Sequence, residues 1–121
     1  MTARIEIIDD DIAVREALLL VLEADGHEVR AADSGDAGVA LAAEFDPHII
    51  LTDIIMPGCE GIETILLLKS RHPQMKIIAM SGGGRTGNTD YLELAREIGA
   101  DAALEKPFDE ADLLDAIRTF L

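Results

Sequence analysis

Aromatic residues are scarce in this chain, at 3% of its 121 residues, and tryptophan is absent. Any core must therefore be built from aliphatic side chains, and the 49% content of hydrophobic residues is enough to supply one. A chain of this length fits one globular domain and leaves no room for two. We therefore expect residues 1–121 to form a single domain.

Basic residues are also few. Ten lysines and arginines stand against 24 acidic residues, which gives a formal net charge of −14. A surface with this charge repels phosphate backbones and anionic lipids. We therefore expect neither direct nucleic-acid binding nor membrane binding.

The single cysteine, Cys59, excludes an internal disulfide and fits a reducing compartment. No apolar run approaches the roughly 18 residues that a membrane-spanning helix requires. The first apolar stretch contains a charged residue and is followed by no cleavage-like site, so no signal peptide is predicted. These features predict a cytoplasmic protein.

Short and long apolar segments alternate along the chain. The short segments are predicted to be buried strands: Arg4–Ile8, Glu28–Ala32, His48–Thr52, Lys76–Met80 and Ala102–Leu104. The long segments are predicted to be amphipathic helices: Ile12–Ala24, Asp36–Glu44, Gly61–Arg71, Tyr91–Ile98 and Glu110–Phe120.

Capping residues support these boundaries. Gly26 and Gly99 stand where the carboxyl ends of helices are expected. Ser34, Thr89 and Asp109 are suitable N-caps because their side chains can accept from the first free amides of a helix.

Five strand–helix units in strict alternation predict an α/β fold, a parallel sheet with helices on both faces. Sheets of this kind commonly have the flavodoxin-like (βα)5 architecture with strand order 2-1-3-4-5. In that order, ligands bind outside the carboxyl ends of the strands, between strands 1 and 3.

The first and third predicted strands are both followed by carboxylates. Asp9 and Asp10 follow the first strand, and Asp53 follows the third. These acids are therefore expected to gather at the binding crevice. Like charges so close together need a counter-ion, and a hard divalent cation such as Mg²⁺ takes oxygen ligands.

The fourth and fifth strands contribute two further polar groups to the same edge, namely Ser81 and Lys106. A carboxylate can act as a nucleophile and form an aspartyl-phosphate. A metal ion and Lys106 would neutralise the oxygens of the transferring phosphoryl group, and the Ser81 hydroxyl could donate to one of them.

These motifs together resemble the receiver domain of bacterial response regulators. The resemblance rests on the strand-terminal Asp9-Asp10, on Thr52-Asp53-Ile54-Ile55-Met56-Pro57 with Gly61, on Met80-Ser81-Gly82, and on Glu105-Lys106-Pro107-Phe108. It spans the whole chain in order and with the usual spacings. The combination is highly specific, although each piece alone is weak.

The resemblance implies that Asp53 is the phospho-acceptor. It further implies that Asp10 and Asp53 ligate Mg²⁺ directly, with Mn²⁺ as an alternative ion, and that Asp9 acts largely through water. The backbone carbonyl of Ile55 would complete the ligands that the protein provides.

By the same resemblance, Ser81 and Lys106 contact the phosphoryl group, and the Lys106–Pro107 peptide bond is cis. The phosphoryl donor would be a histidine kinase or a histidine phosphotransfer protein. The chain would act as a stand-alone signalling switch rather than as an enzyme, through contact with a downstream protein that the sequence does not identify.

One position departs from the family pattern. Many members carry Tyr or Phe three residues before the lysine, as a rotating switch aromatic, and this chain has Ala103 there. A change in the glycine-rich loop after Ser81 is therefore expected to carry more of the response.

Several simpler readings stand beside these expectations. Asp11 is better explained as a cap of the first helix than as a ligand. The stretch 82–87 matches the dinucleotide-binding pattern G-x-G-x-x-G. A dinucleotide fold carries that turn after its first strand, whereas here it follows the fourth, so a bound dinucleotide is not expected. The three histidines, His27, His48 and His72, show no ligand spacing and are expected to be structural or solvated.

An enzyme with an aspartyl nucleophile is the main rival. Haloacid-dehalogenase-like phosphatases resemble this architecture, but they carry an Asp-x-Asp pair at the first strand. Here Asp9 and Asp10 are adjacent, and the position two residues after Asp53 is Ile55. No insertion is long enough to form a substrate pocket.

Overall fold

A computed structural model describes residues 2–54, 61–81 and 90–121. Five strands and five helices alternate along these residues. The strands are β1 (Arg4–Ile8), β2 (Glu28–Ala32), β3 (Ile49–Asp53), β4 (Lys76–Ser81) and β5 (Ala102–Glu105). The helices are α1 (Ile12–Ala24), α2 (Gly35–Phe45), α3 (Gly61–Arg71), α4 (Asp90–Ile98) and α5 (Glu110–Thr119). The predicted boundaries agree with these to within one residue.

The strands form one parallel sheet in the order β2-β1-β3-β4-β5, which confirms the predicted flavodoxin-like topology. The carboxyl ends of all five strands lie at one edge. Since β1 and β3 are neighbours in the middle of the sheet, the carboxylates at their ends face the same crevice.

Each face of the sheet has its own aliphatic core. Alternate residues of a strand point to opposite faces, so Ile5 and Ile7 pack under α1 and α5, while Ile8 packs under α2 and α3. The central strands β1, β3 and β4 are buried along almost their whole length. The edge strands β2 and β5 are not, so the expectation that every strand is buried on both faces is wrong at the two edges.

Three of the predicted caps can be checked. The side chain of Ser34 accepts from the amide of Ala37 at the start of α2, and Asp109 forms a capping box with Asp112 at the start of α5. Asp11 accepts from the first amides of α1, which confirms that it is a cap. Thr89 lies outside the described residues.

Gly26 and Gly99 both adopt positive φ angles, +92° and +135°, just after α1 and α4. This left-handed region favours glycine, as expected for residues that end helices. Within the described residues, no helix has the length and apolarity needed to cross a membrane.

Two histidines hold the amino end of β1. The Nδ1 atom of His27 accepts from the amide of Ala3 at 3.1 Å, and Nδ1 of His48 accepts from the amide of Arg4 at 3.0 Å. Both imidazoles therefore serve as backbone acceptors at the edge of the sheet opposite to the carboxylates. The expectation that these histidines are structural agrees with this geometry.

Glu6 is an unexpected buried acid on the α2 face of β1. It is 0% exposed, and neither carboxylate oxygen has a hydrogen-bond partner among the described residues. Gly38 of α2 approaches so closely that a Cβ there would lie 3.3 Å from Glu6 Oε2. Because burial disfavours the charged form, it raises the pKa of Glu6 from 4.5 to about 8.

The buried carboxyl of Glu6 predicts a pH-dependent stability. With its folded-state pKa raised, its stabilising contribution is complete below pH 4.5 and is lost progressively as the pH rises to about 8. The loss is about 1.4 kcal/mol per pH unit. Glu6→Gln mimics the neutral acid and has no such pH dependence. The difference in the free energy of unfolding between this variant and the wild type should therefore grow by about 3 kcal/mol, in favour of the variant, between pH 5.5 and pH 7.5.

Urea unfolding at the two pH values measures this difference. Glu16→Gln removes a carboxylate from an exposed position of α1 and should follow the wild type at both. A constant difference between Glu6→Gln and the wild type across this range would contradict the prediction.

Candidate functional site

Three carboxylates converge at the carboxyl edge of the sheet. Asp9 and Asp10 follow β1, and Asp53 is the last residue of β3. One oxygen from each side chain lies within 4.8 Å of the others. Asp9 and Asp53 are buried, whereas Asp10 is exposed. The grouping expected from the strand ends is therefore present.

Lys106 is the cation of this cluster. Its Nζ lies 2.8 Å from Asp9 Oδ2 and 3.4 Å from Asp53 Oδ2. Burial of Lys106 lowers its pKa, but the hydrogen bond to Asp9 and the charges of Asp53 and Asp9 outweigh that effect, so the net pKa lies above its ordinary value. Lys106 therefore stays charged and offsets part of the repulsion between the carboxylates.

The backbone after β5 brings Lys106 to this position. The amide of Lys106 donates to the carbonyl of Ser81 at 2.7 Å, which continues the pairing of β4 with β5 by one step. The Lys106–Pro107 bond is cis, as the family resemblance implied. The chain then enters α5 through the Asp109 capping box.

Every hydrogen-bonding group of Asp9 is engaged. Its amide donates to Ala32 O at 3.2 Å, and its carbonyl accepts from Arg15 Nη1 at 2.8 Å. Its Oδ1 accepts from the amide of Asp11 at 3.0 Å, and its Oδ2 accepts from Lys106. This full set of partners explains how a polar residue is accommodated at 0% exposure.

Ser81 ends β4, the strand next to Asp53. Its side chain is fully buried, and Oγ has no hydrogen-bond partner among the described residues. A buried hydroxyl without a partner costs free energy, so its presence at a strand end is unusual for a purely structural residue.

Gly61 begins α3 against the end of β3. A Cβ at this position would lie 2.2 Å from Ile54 Cα and 2.6 Å from the carbonyl oxygen of Asp53. Both contacts are with backbone atoms, which cannot yield as a flexible side chain could. Only glycine permits this approach, and the close packing helps to fix the backbone of Asp53.

The structure thus brings together Asp9, Asp10, Asp53 and Lys106, and it places Ser81 on the adjacent strand end. The backbone carbonyl of Ile55, Cys59 and the glycine-rich loop after Ser81 lie outside the described residues. Sequence reasoning missed Arg15, whose only signal is its position six residues after Asp9 on the first turn of α1.

The donor set fits a hard cation. Carboxylate oxygens from Asp9, Asp10 and Asp53 are the ligands that Mg²⁺ and Mn²⁺ prefer. Asp10 is exposed and can turn toward an ion from solvent, while Asp9 and Asp53 are held by Lys106. The residues present are therefore suitable for a divalent metal centre at this edge.

The five-stranded parallel sheet and the acid–lysine cluster at its switch point are those that the resemblance to receiver domains implied. The family model of the response regulator receiver domain matches residues 5–118. The chain belongs to this family. It is a phospho-accepting receiver domain of the two-component and phosphorelay type of signal transduction.

Curated relatives agree with this placement. The transcriptional regulatory protein FixJ of Azorhizobium caulinodans is 38% identical over 97% of this chain, and the chain spans only 54% of the length of FixJ. Protein PilH of Pseudomonas aeruginosa is 36% identical, and the match covers 98% of both chains.

A solved structure supports the fold. The CheY-like response regulator receiver domain protein from Methanospirillum hungatei superposes with a TM-score of 0.90 at 31% identity. The match covers 98% of this chain and 93% of the other.

Removal of Lys106 should expose the repulsion that it offsets. Lys106→Met leaves the buried carboxylate of Asp9 without its cation, so the free energy of unfolding should fall by about 3 kcal/mol in the presence of a chelator. Magnesium should restore part of this loss because it neutralises the same carboxylates. Urea unfolding with chelator and with Mg²⁺ measures both effects.

Lys76→Met is the matched control, since Lys76 lies at the opposite edge of the sheet. Its half-exposed Nζ makes a long ion pair with Asp101, at 4.0 Å. It should change stability little. Equal losses for the two lysine variants would argue against a special role of Lys106 in the acid cluster.

Proposed function

We propose that Asp53 is the residue that accepts the phosphoryl group, from a histidine kinase or a histidine phosphotransfer protein. The observation that carries this proposal is the convergence of Lys106, Asp9 and Asp10 on the carboxylate of Asp53. We also propose that residues 1–121 act as a single receiver domain.

In the proposed reaction, a carboxylate oxygen of Asp53 attacks the phosphorus of a phosphohistidine. The new O–P bond forms as the P–N bond breaks, and the donor histidine keeps the electron pair of that bond. Lys106 Nζ, 3.4 Å from Asp53 Oδ2, would neutralise charge on the transferred group. The domain thus assists its own phosphorylation, and we do not propose turnover of a small-molecule substrate.

We propose Mg²⁺, with Mn²⁺ as an alternative, as the ion of this site. Asp10 and Asp53 would be direct ligands, Asp9 would act largely through water, and the carbonyl of Ile55 would be a further ligand. When bound, such an ion supplies positive charge that stabilises the oxygens of the transferring phosphoryl group.

Ser81 is proposed as the switch residue. Its buried hydroxyl has no hydrogen-bond partner among the described residues, and an aspartyl-phosphate beside it would offer strong acceptor oxygens. Movement of Ser81 toward the phosphoryl group would be passed along the chain that follows it to α4. This route does not need an aromatic at position 103, where β5 has alanine.

The output is proposed to be contact with a downstream protein. Two conformational states that the phosphoryl group biases are sufficient for such a switch. The net charge of −14 disfavours nucleic acid as a direct partner. A cytoplasmic location is part of the proposal, because the single cysteine fits a reducing compartment.

Asp53→Asn tests the acceptor. Incubation of the wild type with acetyl phosphate and Mg²⁺ should add one phosphoryl mass in intact-protein mass spectrometry, and Asp53→Asn should add none because an amide is not an adequate nucleophile. A chelator should suppress the gain in the wild type.

Asp33→Asn provides the matched control, since Asp33 is an exposed carboxylate that follows β2 at the same edge. It should be phosphorylated like the wild type. A phosphoryl mass retained in Asp53→Asn, or lost equally in Asp33→Asn, would refute Asp53 as the acceptor.

Ser81→Ala tests the switch. The variant should still be phosphorylated, within a few-fold of the wild-type rate, because its acid cluster and Lys106 are intact. It should lose most of the backbone amide shift changes that phosphorylation produces along α4 and β5. Two-dimensional NMR before and after acetyl phosphate measures this, with the exposed Ser70→Ala as the control. An unchanged response would show that another group carries the switch.

A further inference from the structure

Among the described residues, Arg15 is the one cation that reaches the carboxyl edge of the sheet from α1. It lies in the first turn of that helix, and its amide donates to Asp11 O at 3.0 Å. Helical side chains point back toward the amino end of their helix. The guanidinium accordingly turns back to the end of β1, where Nη1 donates to the carbonyl of Asp9 at 2.8 Å.

The atom that Arg15 contacts determines its effect. It is a backbone carbonyl, outside the β1 ladder because β1 ends at Ile8. The other three groups of Asp9 are held by Ala32, Asp11 and Lys106. Among the described residues, Arg15 therefore supplies the fourth hydrogen bond that holds this fully buried residue.

The carbonyl of Asp9 belongs to the peptide that joins Asp9 to Asp10. A peptide unit is planar, so a hydrogen bond that fixes its oxygen also fixes the direction of the bond to the next Cα. Arg15 thereby sets the position from which the exposed carboxylate of Asp10 leaves the backbone. Through the same peptide it acts on both acids of the proposed metal site.

We propose that Arg15 is a positioning residue of this metal site, holding the Asp9–Asp10 peptide so that both carboxylates face the ion together with Asp53. The inference rests on the proposed function insofar as it takes Mg²⁺ as the ion. It adds a residue on α1 that contacts neither the ion nor the phosphoryl group. Groups that orient the ligands of a metal commonly change its affinity by about 10- to 100-fold when they are removed.

The charge of Arg15 provides the decisive contrast. A guanidinium is always protonated and repels a divalent cation nearby. If Arg15 acted only through its charge, its removal would tighten Mg²⁺ binding. If it acts by positioning, its removal weakens binding. The two roles therefore predict changes in opposite directions.

Isothermal titration of the metal-free protein with Mg²⁺ distinguishes these roles. Arg15→Met removes both the charge and the donor and should weaken Mg²⁺ binding by about 10-fold or more. Arg15→Lys keeps the charge and one donor and should lose less. Arg96→Met removes an exposed arginine from the last turn of α4 and should bind Mg²⁺ like the wild type.

Two further measurements exclude a merely structural role. Urea unfolding of the same variants reports stability, and the amide NMR signals of residues 10 and 11 in metal-free protein report the peptide itself. We expect these signals to shift in Arg15→Met while the protein remains folded. Tighter Mg²⁺ binding in Arg15→Met would overturn the proposal, as would lower stability with unchanged Mg²⁺ affinity.

Failure of this inference can be separated from failure of the proposed function. If Asp53→Asn abolishes phosphorylation and wild-type protein binds Mg²⁺, the proposed function stands whatever Arg15→Met does. If wild-type protein binds no Mg²⁺, the proposed metal site fails first, and the positioning role of Arg15 fails with it.

Discussion

The interaction on which the carboxyl edge depends is the contact of one ammonium group with two buried carboxylates. Lys106 meets Asp9 at 2.8 Å and Asp53 at 3.4 Å, although the three residues come from distant parts of the chain. Carboxylates this close repel one another strongly once water is excluded. The strand order 2-1-3-4-5 places two acidic strand ends side by side, and the pairing of Lys106 with the Ser81 carbonyl brings the cation across to them. The strand order thus brings the carboxylates together, and the position of Lys106 beside them offsets their repulsion.

Much of this arrangement can be predicted from sequence, because it follows from short periodic signals. Alternating apolar segments with glycine at Gly26 and Gly99 predict five strand–helix units, and such units have few possible topologies. The carboxylates are then expected at one edge of the sheet because they follow the first and third strands in the sequence. The remaining errors are single residues at the ends of strands and helices. Asp53 and Ser81, for example, lie within strands rather than after them, since Asp53 pairs with Met80 and Ser81 pairs with Glu105.

The remaining features depend on side-chain partners that no local pattern specifies. Glu6 interrupts an apolar strand, and the sequence does not tell whether such an acid is paired, exposed or, as here, buried without a partner among the described residues. Arg15 has the same difficulty, since its contact depends on which way a long side chain turns from α1. The place of Ser81 at a strand end predicts it as a site residue, but its burial and the lack of a hydrogen-bond partner for its hydroxyl among the described residues are properties of packing.

The two imidazoles at the amino end of β1 have a consequence for substitutions there. Each accepts a backbone hydrogen through Nδ1, so a side chain without an acceptor at either position would leave an amide of the first strand unpaired. Such a loss would act at the pole farthest from the carboxylates. It would weaken the anchoring of Ala3 and Arg4 and leave intact the contacts that Asp9 and Lys106 make at the other end of the sheet.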